Sequence, residues 1–207
     1  MPIILDETKI SLERTDLRSR SPIARPMTKK GHLVEPTRSS GIHLSGILRY
    51  VALEGGLMRA LADLDEEEMP LRMALGLAWE EFAVSLYPEI DWQPGELIEE
   101  GIAMTCDGIS SYQDAPCLEE FKLTWKKVRE GRDFVDEWYW MHQGRGYLWG
   151  YGFRFCRWHV AFINGDYRGS GPIYMRYLLQ FSDEEIEKTG KMLLANKQRA
   201  IAKGYAE

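Results

Sequence analysis

The sequence predicts an α/β fold in which a central mixed β-sheet is flanked by helices, and three observations carry that expectation. An amphipathic pattern of helical period fills the first part of the ordered chain, up to Pro88. Around residue 100 the period shifts to two, as in strands. Helix, strand and helix patterns then alternate to the C-terminus, an order that suits helices packed on both sides of a mixed sheet.

The chain has 207 residues, 44% of them hydrophobic and 12% aromatic, enough for one well-packed domain and too few for two. Residues 1–37 read as a flexible or extended arm, rich in Arg, Ser, Pro and Lys, and residues 38–207 as a single domain. A short helix is expected to end at Gly55-Gly56, and a second over roughly 57–64. The next places Leu71, Leu75, Ala78, Phe82 and Leu86 on one face and stops at Pro88. Ile102–Ser110 and Cys117–Trp125 alternate as strands, joined by a turn-rich loop. Asp133–Gly152 reads as a helix whose glycines imply either a close neighbour or a break. A strand, an Asn164-Gly165 turn and its return follow, then a further strand and a terminal helix with a Ser182/Glu185 capping box.

No apolar run reaches the length of a membrane span, and the N-terminus has its apolar residues before its charges, the reverse of a secretory signal. A cytoplasmic protein is therefore expected. Cys106, Cys117 and Cys156 are far apart without a C-x-x-C pair, so neither zinc nor an iron–sulfur cluster is expected. His32, His43, His142 and His159 show no metal spacing. A net charge of −6 argues against holding nucleic acid by bulk electrostatics, although clustered carboxylates that bind metal would themselves contribute such charge.

The chemically informative pattern is Asp107, followed thirteen residues later by Glu120-Phe121-Lys122. An Asp at one strand end and a Glu on the neighbouring strand can converge on a hard cation, which takes oxygen ligands. Lys122 projects from the same strand face as Glu120, and Phe121 points to the other. Metal-assisted phosphodiester hydrolysis needs such groups. The tripeptide alone also fits an exposed cross-strand charged surface.

In context the chain resembles the RecB-like and lambda-exonuclease-like branch of the PD-(D/E)xK nucleases. Gly76–Glu80 is similar to its helical G-x-x-x-E motif, with Glu81 the neighbouring alternative to Glu80. Thr105–Ile109 resembles its strand-end Asp-Gly, with Cys106 where Pro often stands. Gln143–Tyr147 matches Q-x-x-x-Y, and Arg38 with Ser45 resembles the Arg and Ser that contact a terminal phosphate, although Ser45 or Ser40 would also serve as a helix cap.

The resemblance implies a restriction-endonuclease-like fold and a Mg- or Mn-dependent exonuclease acting on linear DNA in phage-type recombination or repair. It implies metal ligation by Glu80, Asp107, Glu120 and the Phe121 carbonyl. Lys122 would activate the nucleophile, Gln143 and Tyr147 would position it or the strand, and Arg38, Ser45 and Arg145 would contact DNA. It also allows a homo-oligomer. A restriction-type or structure-specific endonuclease and a non-catalytic binding member remain alternatives. Lys126, Lys127, Arg129 and Arg132 could line a DNA groove or form a solvated loop, and Trp138, Tyr139, Trp140 and Trp149 could stack on bases or pack the core.

Overall fold

The computed structural model describes residues 1–10, 40–57, 68–128, 132–165 and 171–205, with backbone alone for 68–73 and 132. Its centre is a mixed six-stranded sheet in the order β1-β8-β7-β6-β5-β2, flanked by helices, as expected. The strands are β1 (Ile3–Ile10), β2 (Asp91–Trp92), β5 (Gly108–Tyr112), β6 (Ala115–Thr124), β7 (Phe155–Phe162) and β8 (Ile173–Gln180). A small hairpin of β3 (Leu97–Glu99) and β4 (Ile102–Met104) stands apart. Within the large sheet β6 and β7 pair in parallel, and the other pairs are antiparallel.

Helices cover both faces of β6. On one side α1 (Leu44–Glu54), α4 (Trp138–Tyr151) and α5 (Asp183–Ala202) pack on one another and enclose the main core, which includes Leu118, Trp158, Val160 and Leu193. On the other, α2 (Glu68–Leu86) lays Ala83 and Val84 against Phe121 and Ile90. A parallel neighbour requires a crossover, supplied here by α3 (Arg132–Val135) and α4.

Several expectations need correction. Ile3–Ile10, assigned to the arm, form an edge strand along β8, with a register shift between Ile4 and Asp6. The helix foreseen at 57–64 and the return strand after Gly165 fall mainly on residues outside those described, as do Arg38 and Arg129. The single strand foreseen over Ile102–Ser110 is split: β4 leaves for the hairpin, and residues 105–107 break the chain before β5. Ile102, Ala103 and Met104 are all buried, because both sides of β4 are covered. On α2 the buried stripe runs through Trp79, Ala83, Val84 and Tyr87, whereas Leu75 and Ala78 are exposed. The helix buries only a narrow stripe, Ala83 and Val84 toward β6 and Trp79 toward β7 and β8, which the composition of a largely apolar segment does not reveal. The helix expected over 133–152 divides between α3 and α4, and Gly152 closes α4 in the left-handed conformation that glycine adopts without strain.

The loop between β5 and β6 contracts to a two-residue turn, in which Gln113 and Asp114 take φ of 49° and 63° between the paired Tyr112 and Ala115. Such a turn matches the twist of a hairpin. The Ser182/Glu185 capping box on α5 forms with both of its hydrogen bonds. Cys106, Cys117 and Cys156 are free and buried. Among the described residues no helix is long and apolar enough to cross a membrane.

The glycines of α4 mark close approach rather than a break. A Cβ on Gly144 would lie 2.4 Å from the ring of Trp158, which is itself fully buried. Gly146 and Gly150 are packed as closely against Leu44 and Met104. Gly144→Ala is therefore expected to cost about 1–3 kcal/mol, because the rigid indole has nowhere to move. A urea midpoint equal to or above that of the wild type would contradict this packing.

Candidate active site

Residues from β5, β6 and α4 meet on the sheet face covered by α4. Asp107 sits at the break before β5, and its Oδ2 accepts the Phe121 backbone N–H at 2.8 Å, tying the strand end to β6. Glu120 is fully buried and Lys122 partly so; the Lys122 ammonium donates to Glu120 Oε2 at 2.7 Å and lies 3.7 Å from Asp107 Oδ2. The other Glu120 oxygen, Oε1, is buried without a hydrogen-bond partner. Gln143 donates to the Tyr147 hydroxyl at 3.3 Å on the inner face of α4.

Burial, with the Asp107 charge beside it, pushes the Glu120 carboxyl up to about 8, and Lys122 offsets only part of this. Lys122 is raised as well: burial alone would lower it, but the two carboxylates outweigh that and hold its proton more tightly than usual. The Tyr147 phenol is raised by its own burial and by the same carboxylates. The centre thus concentrates acidic groups in a poorly solvated place, with one ammonium among them.

The next residue along the strand gives a comparison. Glu119 points to the opposite face and is also fully buried, yet both its oxygens are satisfied. It accepts from Arg157 at 2.6 Å and His159 Nε2 at 2.7 Å, and Ser110 bonds to it as well. His159 continues the chain: its Nδ1 lies 2.5 Å from the Tyr174 hydroxyl, which lies 3.1 Å from that of Tyr87 on the α2 side. Phe121 stacks on the His159 ring. Sequence reasoning assigned no role to Glu119, Arg157, His159 or Tyr174. No sequence signal marked them, because the burial that obliges Glu119 to find partners shows only in the structure.

The sequence-predicted residues are only partly gathered. Asp107, Glu120, Phe121, Lys122, Gln143 and Tyr147 come together. Ser45 stands in the first turn of α1, where its carbonyl accepts from Tyr139 and where it lines a small cavity of about 20 Å³ with Tyr147. Neither Ser45 nor Ser40 caps that helix; His43 occupies the N-cap position, and its side chain makes no capping hydrogen bond. Glu80 on α2 acts from farther away, its charge the smallest of the named influences raising Glu120. Among the described residues no three Asp, Glu, His or Cys side chains gather as a metal-ligand group, so the close carboxylates are a pair.

Arg145 is not brought to this centre. Its guanidinium bonds to the Met141 carbonyl at 3.1 Å and to the His142 ring, and lies 6.0 Å from the Phe181 ring. Two residues along a helix turn the side chain by about 200°, so Arg145 faces away from Gln143. Lys126 is occupied by Glu137 at 2.6 Å and the Trp140 ring, and Lys127 is exposed. Trp138, Tyr139, Trp140 and Trp149 pack against the core.

No family model matches this sequence, and no curated protein matches it. Among solved structures, the chain is similar to a phage related exonuclease from Haemophilus somnus 129PT. The identity is 12% and the TM-score 0.48, over 93% of this chain and 94% of that one. It is also similar to a protein designated SSO0001, with 14% identity and a TM-score of 0.43 over 78% of each chain. Likenesses at this level say nothing of activity or substrate.

Burial and the adjacent Arg145 lower the His142 imidazole from 6.5 to about 4. Between these values the unfolded chain binds a proton that the native fold does not, so stability falls as pH drops from about 6.5 toward about 4. Urea midpoints measured across that interval should fall less steeply for His142→Gln than for the wild type. Parallel curves would contradict the assignment.

Proposed function

We propose that this chain is a metal-dependent DNA nuclease whose centre is Asp107, Glu120 and Lys122. The observation that carries the reading is the contrast between neighbouring carboxylates. Glu119 is buried and saturated with donors, whereas Glu120 is buried, keeps an unpartnered oxygen and shares the Lys122 ammonium with a second carboxylate. A buried unsatisfied carboxylate costs stability, typically several kcal/mol, and nothing in the packing of the fold requires it there. The donor chemistry fits a hard divalent cation, Mg or Mn, because every available group is an oxygen.

Asp107 and Glu120 would hold the ion, with the Phe121 carbonyl as a further donor and Glu80 acting through water. When bound, such an ion lowers the pKa of coordinated water and offsets charge on the phosphoryl oxygens. The remaining work belongs to the chain. Lys122 holds its proton because two anions flank it; once these are neutralised it is left as a cation that can release a proton or stabilise the charge on a phosphate under attack. Tyr147 and Gln143 form a polar ledge beside it, suited to orienting water or a strand. Digestion of linear DNA from its ends, in phage-type recombination or repair in the cytoplasm, is the activity favoured by the sequence motifs.

The decisive experiment follows end-labelled linear duplex DNA with Mg, Mn or chelator, using wild type and Lys122→Ala. Metal-dependent loss of label, reduced about 10²- to 10⁴-fold by the substitution, is the expected result. Thermal melts run in parallel show that the variant is folded, since the change strips Glu120 of its counter-ion. Substantial residual cleavage by a folded variant would sink the assignment, and cutting of closed circular DNA would make the enzyme an endonuclease.

Metal binding has a readout independent of turnover. An ion bound only by the native state, at about 100 times its Kd, adds about 2.7 kcal/mol. Mn should therefore raise the Tm of the wild type and have little effect on Glu120→Gln. Equal shifts in both proteins would remove Glu120 from the ligand set.

A further inference from the structure

Beside the catalytic centre lies a cavity of about 460 Å³, lined by Ser45, Gly46, Arg49, Tyr139, Lys203, Gly204 and Tyr205. It falls in the size range of small-molecule sites. Its charge is opposite to that of the chain as a whole: the net charge is −6, yet among the described residues two cationic side chains and no carboxylate line this cavity. Among the described residues neither Arg49 nor Lys203 forms an ion pair with a carboxylate. Arg49 instead lies 5.8 Å from the Tyr205 ring centroid, its donors left for another acceptor.

The wall is also built by close packing. A Cβ on Gly46 would lie 2.6 Å from the Tyr205 carbonyl oxygen, so the segment after α5 rests directly on α1. That segment is fastened by the Tyr205 N–H to the Ala200 carbonyl at 3.0 Å, and the Tyr205 ring meets Tyr50 edge-on. Tyr139 joins this cavity to the catalytic centre: it lines the cavity, and its phenol feels the charges of Lys122, Arg49 and Glu120.

We propose that this cavity binds one nucleotide unit, its phosphate on Arg49 and Lys203 and its base against Tyr205 and Tyr139. A guanidinium offers a planar pair of donors suited to phosphate, and aromatic side chains accept the π-face of any base. The choice of a nucleotide among anionic aromatic ligands rests on the nuclease reading; the cation-and-tyrosine lining does not. Nothing about the cavity requires metal.

The test is calorimetric titration of the full chain with dAMP in chelator, which removes any contribution from a metal at the carboxylates. Measurable binding is expected, at least tenfold tighter than that of deoxyadenosine or inorganic phosphate. Arg49→Gln should weaken dAMP about tenfold or more, and Tyr205→Leu should weaken it while leaving the response to phosphate unchanged. Thermal melts establish that both variants are folded.

Absence of dAMP binding overturns the proposal, as does wild-type affinity in both variants. Inorganic phosphate binding as tightly as dAMP also overturns it, leaving a simple anion site. Competition with tetradeoxyadenylate separates the two sources: displacement of dAMP identifies a strand, and no displacement a free mononucleotide, each upholding the site. Lys122-dependent cleavage without dAMP binding would defeat this inference and spare the nuclease reading. Binding without cleavage would do the reverse.

Discussion

Two adjacent carboxylates buried on opposite faces of β6 impose the constraint on which the rest of the structure depends. Charge taken out of water must be paired or neutralised, at a cost of several kcal/mol otherwise. On the α2 side, Arg157, His159 and Ser110 answer Glu119 in full, and the Tyr174 and Tyr87 hydroxyls extend the network to that helix. On the α4 side, Lys122 answers half of Glu120, and Asp107 adds a second negative charge. One face is thereby suited to holding the sheet together, and the other carries the centre for which a cation is proposed. The His159 ring beneath Phe121 links the two, since the Phe121 backbone binds Asp107.

The layered arrangement serves this division. Because β6 is covered on both faces, its alternation of charged and apolar residues does not mean a wet side and a dry side. It separates two interiors, the main apolar core with the acidic centre at its edge on the α4 side and a smaller one holding the Glu119 network on the α2 side.

Much of this was legible in sequence, and the failures have physical causes. Asp107, Glu120 and Lys122 could be read because strand geometry places residues two apart on one face, and Gln143 with Tyr147 because a helix brings residues four apart together. The same helical arithmetic would have excluded Arg145, two residues from Gln143. The burial of Glu120 could not be read, since a carboxylate in a strand carries no mark of what covers it. The face of α2 was misread because its segment is apolar on nearly all sides, and periodicity fails where every position qualifies. The first strand was missed because one edge strand, paired along a single side, needs no strong pattern of its own. Glycine spacing in α4 left two readings open, and packing against Trp158, Leu44 and Met104 decides between them.

The tight turn at Gln113-Asp114 bears on how the centre is assembled in time. It makes β5 and β6 a local hairpin, so Asp107 and Glu120 are brought together by closing a short loop, an entropically cheap and fast event. The donors for Glu119 come from β7, which reaches β6 only after the crossover through α4 has formed, a slower, long-range step. The acidic pair can therefore exist in a partly folded chain before the network behind it. A divalent cation present during refolding would then act on the hairpin as well as on the finished protein, and so on the rate of folding as well as on stability.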